Sequence, residues 1–286
     1  MTALPKNLPT SELLRVGPDV VLASIDPGSS PGFLGDKKAG AAALAATADE
    51  FAELQEKLFA ATKGGDTRSV LLVLQAMDTA GKGGIVKHVV GLVDPQGVHI
   101  HSFKAPTDEE KKHDFLWRVR PQLPGAGMIG VFDRSHYEAV LIHRVRGLST
   151  PEEVEERYGI ITAFEQEVAA AGTTIVKVML HISADEQKAR LRARLDDPAK
   201  HWKYNPGDID ERAFWPKYME AYEIAIRRTT TDVAPWYVVP ADHKWYARLA
   251  VQHLMLEALR GLKQTWPVAS YDVEVEKGRL AASVVE

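Results

Sequence analysis

The chain has 286 residues, 45% of them apolar and 26% charged, which fits one large α/β domain or two small ones. Its net charge of −4 argues against a general nucleic-acid binder, and no apolar run approaches the roughly 18 residues of a membrane span. The absence of cysteine excludes disulfides, thiolate metal sites and cysteine nucleophiles, and fits a reducing cytoplasm.

The first residues, MTALPKNLPTSELLRV, lack the cationic start and apolar core of a secretory signal. Residues 1–40 are rich in Pro and Gly (Pro27, Gly28, Pro31, Gly32, Gly35) and read as an irregular arm. From Ala41 to Ala61, Leu44, Phe51, Leu54, Leu58 and Phe59 recur at three- and four-residue intervals, which predicts one amphipathic helix. Ser69 to Ala76 is almost unbroken apolar sequence, the pattern of a strand buried on both faces. It runs into Gly81-Lys82-Gly83-Gly84 and a helix from Ile85 to Val93. A strand, a Gly- and Lys-rich loop and a helix form the phosphate-loop pattern.

Val98 to Phe103 predicts a second strand, and Thr107 to Arg120 a charged helix capped by Thr107. The strand Met128 to Phe132 ends in Asp133-Arg134-Ser135, and Tyr137 to Val145 reads as helical. Thr150-Pro151 starts a helix that runs to about Ala171. Thr173 to His181 is a strand, and Ser183 opens a helix carrying Arg190, Arg192 and Arg194. Asp196 to Asp210 is polar and holds Pro and Gly, as a loop or lid would. A helix from Arg212 to Arg228, a strand from Trp236 to Val239 and a closing helix from Lys244 to Leu262 complete the core. Alternating strands and helices predict a mostly parallel sheet with helices on both faces, with its site at the carboxyl ends of the strands.

Three clusters carry the chemistry. In the loop, glycines let the backbone approach an anion, and Lys82 supplies a mobile charge. Ala76 stands where the standard phosphate loop has its first glycine, and Gly83 where it has the hydroxyl that binds Mg²⁺. Any metal therefore needs another ligand, and Asp78 inside the loop offers one. Asp133, at a strand end, is placed to hold Mg²⁺ opposite the loop, with Arg134 beside it for a phosphoryl group. The third cluster is Arg190, Arg192 and Arg194 with Asp197, Lys200, Trp202, Lys203 and Asp208; Arg190 and Arg194 share a helix face. Such a basic segment suits a lid that excludes water and neutralises the transferring group. Trp236 and Trp245 read as core, and the histidines show no metal-ligand spacing.

Taken in order, these motifs resemble one family. Met77-Asp78-Thr79-Ala80-Gly81-Lys82-Gly83-Gly84, Asp114-Phe115-Leu116-Trp117-Arg118, Phe132-Asp133-Arg134-Ser135, the run Asp197 to Lys203 and the run Ala234 to Arg248 are similar to those of the polyphosphate kinase 2 family, over about residues 40–262. The resemblance implies a one-domain enzyme with a P-loop kinase-like three-layer α/β fold and a helical lid at about 190–212. An arm (1–40) and a tail (263–286) would flank the domain. It implies direct transfer of the terminal phosphoryl of inorganic polyphosphate to AMP or ADP, giving ADP or ATP reversibly, with Mg²⁺ or alternatively Mn²⁺. Asp78 and Asp133 match the family's metal-associated acids, and Lys82 and Arg134 its phosphate contacts. Arg190 and Arg194 join them as catalytic candidates. Ala80, Gly81, Lys82, Gly83, Gly84, Lys87, Lys200 and Lys203 are assigned to phosphate and polyphosphate. Asp114, Trp117, Arg118, Tyr137 and Glu138 are assigned to the nucleotide. Gln75-Ala76-Met77 and Tyr137-Glu138-Ala-Val-Leu141 resemble the subgroup that phosphorylates both AMP and ADP. The resemblance also implies a cytoplasmic homo-oligomer, dimer or tetramer, without nucleic-acid or membrane partners. Two rivals stand beside it: an ATP-dependent nucleotide monophosphate kinase and a non-catalytic phosphate-binding regulator.

Overall fold

A computed structural model describes residues 9–284. In chain order the elements are α1 (Thr10–Leu14), β1 (Arg15–Val16), α2 (Lys37–Ala46), α3 (Ala48–Ala61), β2 (Ser69–Ala76), α4 (Lys82–His88), β3 (Val98–Ser102), β4 (Ile129–Asp133), α5 (Ile142–Arg146) and α6 (Pro151–Ala170). They continue as β5 (Thr173–His181), α7 (Ala184–Leu195), α8 (Gly207–Arg212), α9 (Trp215–Thr229), β6 (Trp236–Pro240), α10 (Lys244–Leu262) and α11 (Val273–Ala282). The sheet order is β1-β6-β5-β2-β4-β3. All pairs are parallel except β1 with β6.

Apolar burial sets this order. Every residue of β2 is buried, as expected of a parallel strand covered on both sides. Helices α2, α3 and α4 gather around α10 on one face, and α5 and α9 pack with α6 on the other. The parallel strands all end on the same edge, and the loops after β2, β4, β5 and β6 open there together.

Four expectations change. The helix over residues 41–61 is two helices, broken at Thr47, whose hydroxyl bonds Gln252 of α10. α2 lies so close to α10 that a Cβ on Gly40 would fall 2.3 Å from the Trp245 ring, so only glycine fits there. The arm is not all irregular: α1 places its first amides, Thr10 and Ser11, on the Glu257 carboxylate, and β1 extends the sheet. Its residues 1–8 lie outside the described residues. The helix over Thr107 to Arg120 does not form. Thr107 and Glu110 do cap each other, but the turn stops at Lys112, because Asp114 caps a second turn at Leu116 instead. Tyr137 to Val145 is a 3₁₀ turn (His136–Ala139) followed by α5. The tail contains α11, whose Val275 and Leu280 stay exposed.

One polar network is buried in the core. Lys177 of β5 is fully buried, and its three N–H bonds reach Glu165 (2.6 Å), the Tyr137 hydroxyl (2.9 Å) and the Thr229 carbonyl (2.8 Å). Tyr137 donates to Glu165 at 2.8 Å, and Trp236 donates to the Thr229 hydroxyl at 2.9 Å. The network ties β5, β6, α6, α9 and the turn after β4 together. Burial opposes ionisation of Glu165, but Lys177 and His136 outweigh it and hold the carboxyl below the usual range.

Lys177→Met should cost about 3–5 kcal/mol in urea unfolding at neutral pH, because it removes the ammonium that offsets the burial of the Glu165 charge. A carboxyl with a depressed folded pKa stabilises above its unfolded pKa, and that stability is lost as pH falls through the folded value. Glu165→Gln should therefore remove part of the acid-side slope seen in a pH series of wild-type unfolding curves.

Candidate active site

The loop after β2 is shaped by two left-handed residues, Thr79 (φ 65°) and Gly81 (φ 126°). Gly81 occupies a region that side chains rarely enter, which explains why a glycine precedes the lysine. The Gly84 and Ile85 amides bond the Gly81 carbonyl, starting α4. The amides of Gly81, Lys82 and Gly83 have no backbone acceptor among the described residues, so three donors remain at the loop. Lys82 folds back, with Nζ 3.2 Å from the Ala76 carbonyl.

Asp133 ends β4, one strand from the loop, and its carboxylate makes no hydrogen bond among the described residues. The Arg134 amide bonds the Leu74 carbonyl, and φ of 63° turns its side chain toward the loop. Its guanidinium donates to Asp78 at 3.0 Å. Burial works against that charge, yet Glu138 and Asp78 outweigh it and raise the pKa above the ordinary arginine value. A left-handed non-glycine residue costs on the order of 1–3 kcal/mol, and both of those nearest the reaction centre, Thr79 and Arg134, face one cavity.

That cavity encloses about 850 Å³ above the carboxyl ends of the strands. It brings together Asp78, Ala80, Gly81, Lys82, Gly83, Gly84, Lys87, Asp133, Arg134, Arg190, Arg194, Lys200 and Lys203, all expected from the sequence. Arg194 donates to the Lys203 carbonyl (3.0 Å) and lies 3.5 Å from Asp208, so α7 holds the 198–208 segment against the opening. Burial and the nearby Asp78 push the Asp208 carboxyl up, against Arg194, Arg134 and Lys82.

Arg190 lines the cavity in a different way from the one expected. All five of its N–H bonds are taken: by Glu186, by the Thr79 and Ala80 carbonyls, and by the Ala241 and Asp242 carbonyls. It is 6% exposed. A guanidinium so occupied braces the loop from behind and has no donor left for a phosphoryl group. Gln187 adds a bond to the Asp78 carbonyl and is itself held by Arg212.

The residues expected at the nucleotide do not line the cavity. Tyr137 is completely buried, with its hydroxyl in the Lys177 network, and has no surface to offer a ligand. Glu138 is half-buried behind Arg134, 3.1 Å from the Gln75 amide; burial raises its pKa against Arg134 and Lys82. Asp114 caps a turn, and Trp117 stacks on His113 with centroids 4.2 Å apart. Arg118 reaches the rim indirectly, donating to the Lys104 carbonyl (2.7 Å) and lying 5.2 Å from the centre of the cavity-lining Phe103 ring. Sequence reasoning missed Phe103, Lys104, His88, Lys244 and Arg248, which also line the cavity. A signal existed for the last two: they follow the end of a parallel strand at i and i+4.

A phosphate loop, two acids on adjacent strand ends and a cation-lined cavity define a phosphoryl-transfer site on a P-loop kinase-like fold. Comparison with known proteins is specific. The sequence profile of Polyphosphate kinase 2 matches residues 35–266, and the chain belongs to that family. It is 59% identical to the polyphosphate kinase 2 of Arthrobacter aurescens TC1, whose crystal structure superposes with a TM-score of 0.96 over 99% of this chain and 100% of that one. It is 46% identical to the AMP/ADP-polyphosphate phosphotransferase of Meiothermus ruber, over 88% of this chain and 94% of the relative. It is 43% identical to the ADP-polyphosphate phosphotransferase of Rhodopseudomonas palustris, over 77% and 78%.

Arg190→Met should leave a folded protein whose turnover falls about a hundredfold or more, since small misplacements of a reacting group have that effect. Arg190→Lys should recover little, because three donors cannot replace five. Steady-state kinetics beside a thermal unfolding midpoint checks both.

Proposed function

We propose that this chain transfers the terminal phosphoryl of inorganic polyphosphate to AMP and to ADP, reversibly and without a covalent intermediate. The observation that carries the reading is the cavity itself: a phosphate loop and two carboxylates share it with a set of cations far denser than the chain's net charge of −4 suggests. The name of the Meiothermus ruber relative supports acceptance of both nucleotides.

In this reading the nucleotide's terminal phosphate oxygen attacks the end phosphoryl of the polymer in line. That oxygen is already ionised, so no strong general base is needed. Lys82 swings from the Ala76 carbonyl to the transferring group, and the free amides of Gly81 to Gly83 take its oxygens. Arg134 neutralises charge from the β4 side. Arg194, Lys200 and Lys203 belong to a lid over about residues 190–212 that closes to exclude water.

The donor set fits Mg²⁺, which is usually held by one or two carboxylates together with substrate phosphates and water. Asp133, whose carboxylate accepts no hydrogen bond among the described residues, and Asp78 are the residues that would hold it. The metal, with Mn²⁺ as a substitute, would neutralise phosphate charge when bound. No described helix is long and apolar enough to cross a membrane, and a cytoplasmic location fits a chain without cysteine. A homo-oligomer, dimer or tetramer, completes the reading; the exposed side chains of Val268, Tyr271 and Val273 give a second copy something to cover.

The deciding assay supplies AMP or ADP, polyphosphate and Mg²⁺ with no ATP added. Formation of ADP from AMP and of ATP from ADP is expected, and no product with either acceptor would overturn the reading. Asp133→Asn should unfold at the wild-type temperature yet lose at least about a hundredfold in turnover. Full activity in that variant would remove Asp133 from the mechanism. Raising ionic strength from about 0.1 M to 1 M shortens the screening length from about 10 Å to 3 Å, and should raise KM for polyphosphate far more than KM for the nucleotide.

A further inference from the structure

Outside its own helix and the phosphate loop, Arg190 bonds one segment, the residues that follow β6. Asp242 sets the position of that segment. The trans peptide joining Ala241 to Asp242 points its two polar groups in opposite directions. Its carbonyl accepts from Arg190 at 2.6 Å, and its amide donates to the Pro27 carbonyl of the N-terminal arm at 3.1 Å. The Asp242 carbonyl takes a second bond from Arg190 at 2.9 Å. The Asp242 carboxylate accepts from the Ser183 amide at 2.8 Å, and has no other hydrogen-bond partner among the described residues.

These bonds close a ring. The Ser183 hydroxyl accepts from the Glu186 amide, and Glu186 accepts from Arg190 Nε at 2.7 Å. Arg190 donates to the Asp242 carbonyl, and Asp242 in turn accepts from Ser183. The Ser183 hydroxyl already caps the first turn of α7, so the Asp242 carboxylate is not needed as a cap. It fixes the start of α7 to the end of β6 instead, and the positive end of the helix dipole favours its charge there. One residue thus sets where α7 begins and where the Arg190 guanidinium lands, about two turns later. Asp242 itself is not among the residues that line the cavity.

Resting on the proposed phosphoryl transfer, we infer that Asp242 is a positioning residue of the active site. Its carboxylate holds the start of α7 and its backbone holds Arg190. The phosphate loop thereby keeps the shape in which Lys82 and the Gly81 to Gly83 amides meet the transferring group. Pro27 makes the N-terminal arm part of this frame, because its carbonyl pins the peptide that Arg190 grips.

Asp242→Ala should lower kcat about tenfold or more, while KM for polyphosphate and for ADP changes less than about twofold, because Asp242 touches neither substrate. Asp242→Asn keeps an oxygen for the Ser183 amide and should recover most of the rate. In an Arg190→Met background, Asp242→Ala should lower kcat no further, since the two residues act as one unit. Amide hydrogen exchange across residues 79–85 should speed up in Asp242→Ala by about threefold or more, with no substrate present. Thermal unfolding midpoints identify a variant that does not fold. Asp242→Glu, which keeps the charge but moves it by one methylene, then carries the same measurements. An equal loss of kcat in the wild-type and Arg190→Met backgrounds would make Asp242 merely structural and overturn the inference. An unchanged kcat or unchanged loop exchange would overturn it too. A wild-type protein without turnover would instead overturn the phosphoryl transfer, and the exchange measurement would still decide the role of Asp242.

Discussion

One guanidinium holds the phosphate loop to the rest of the molecule. Arg190 links the loop carbonyls to the strand-end segment Ala241–Asp242 and to its own helix. The loop is strained at Thr79 and open at Gly81, so it has little local reason to keep one shape. Its conformation is imposed from outside, by α7 and the end of β6. The alignment of Asp78, Lys82 and the free amides depends on that external bracing.

The cavity it braces is electrostatically uneven. The carboxylates Asp78 and Asp133 lie where β2 and β4 end, and cations without an ion pair among the described residues surround them, from Lys82 and Lys104 to Lys203, Lys244 and Arg248. A protein that accumulates like charges in a half-buried space loses stability, and a polyanion restores it on binding. The ligand-free state is thus disfavoured at the place where binding is needed. A charge of −4 spread over the whole chain conceals a cavity of the opposite sign.

Much of this was legible in the sequence, and the unread parts have physical reasons. The bounds of β5 and α10 match their apolar patterns, and Thr150 and Ser183 cap α6 and α7 where the sequence places those helix starts, because these are local signals. Thr107 gave a true cap signal, but a cap does not propagate a helix when Asp114 offers the backbone a competing partner. Arg190 and Arg194 look equivalent in sequence, one turn apart. Only the fold shows that Arg190 points back into five acceptors while Arg194 faces the opening. Tyr137 was legible as part of a motif but not as buried, since its burial depends on Lys177 and Glu165, 40 and 28 residues away. Lys244 and Arg248 were read as part of a family motif, and their place just after a parallel strand was the signal that could have put them at the cavity.

The buried Lys177 network also has a history written into it. Replacing a buried ion pair by well-packed apolar residues is often neutral or favourable, but replacing one partner alone is costly. Here Lys177 and Glu165 also share the Tyr137 hydroxyl, and Lys177 bonds the Thr229 carbonyl, so a neutral exchange would need several coordinated changes at once. Single substitutions each lead downhill, and the apolar alternative lies across a gap that stepwise change does not cross. The network can therefore persist in descendants of this sequence as a frozen choice, whether or not it is the most stable way to fill that part of the core.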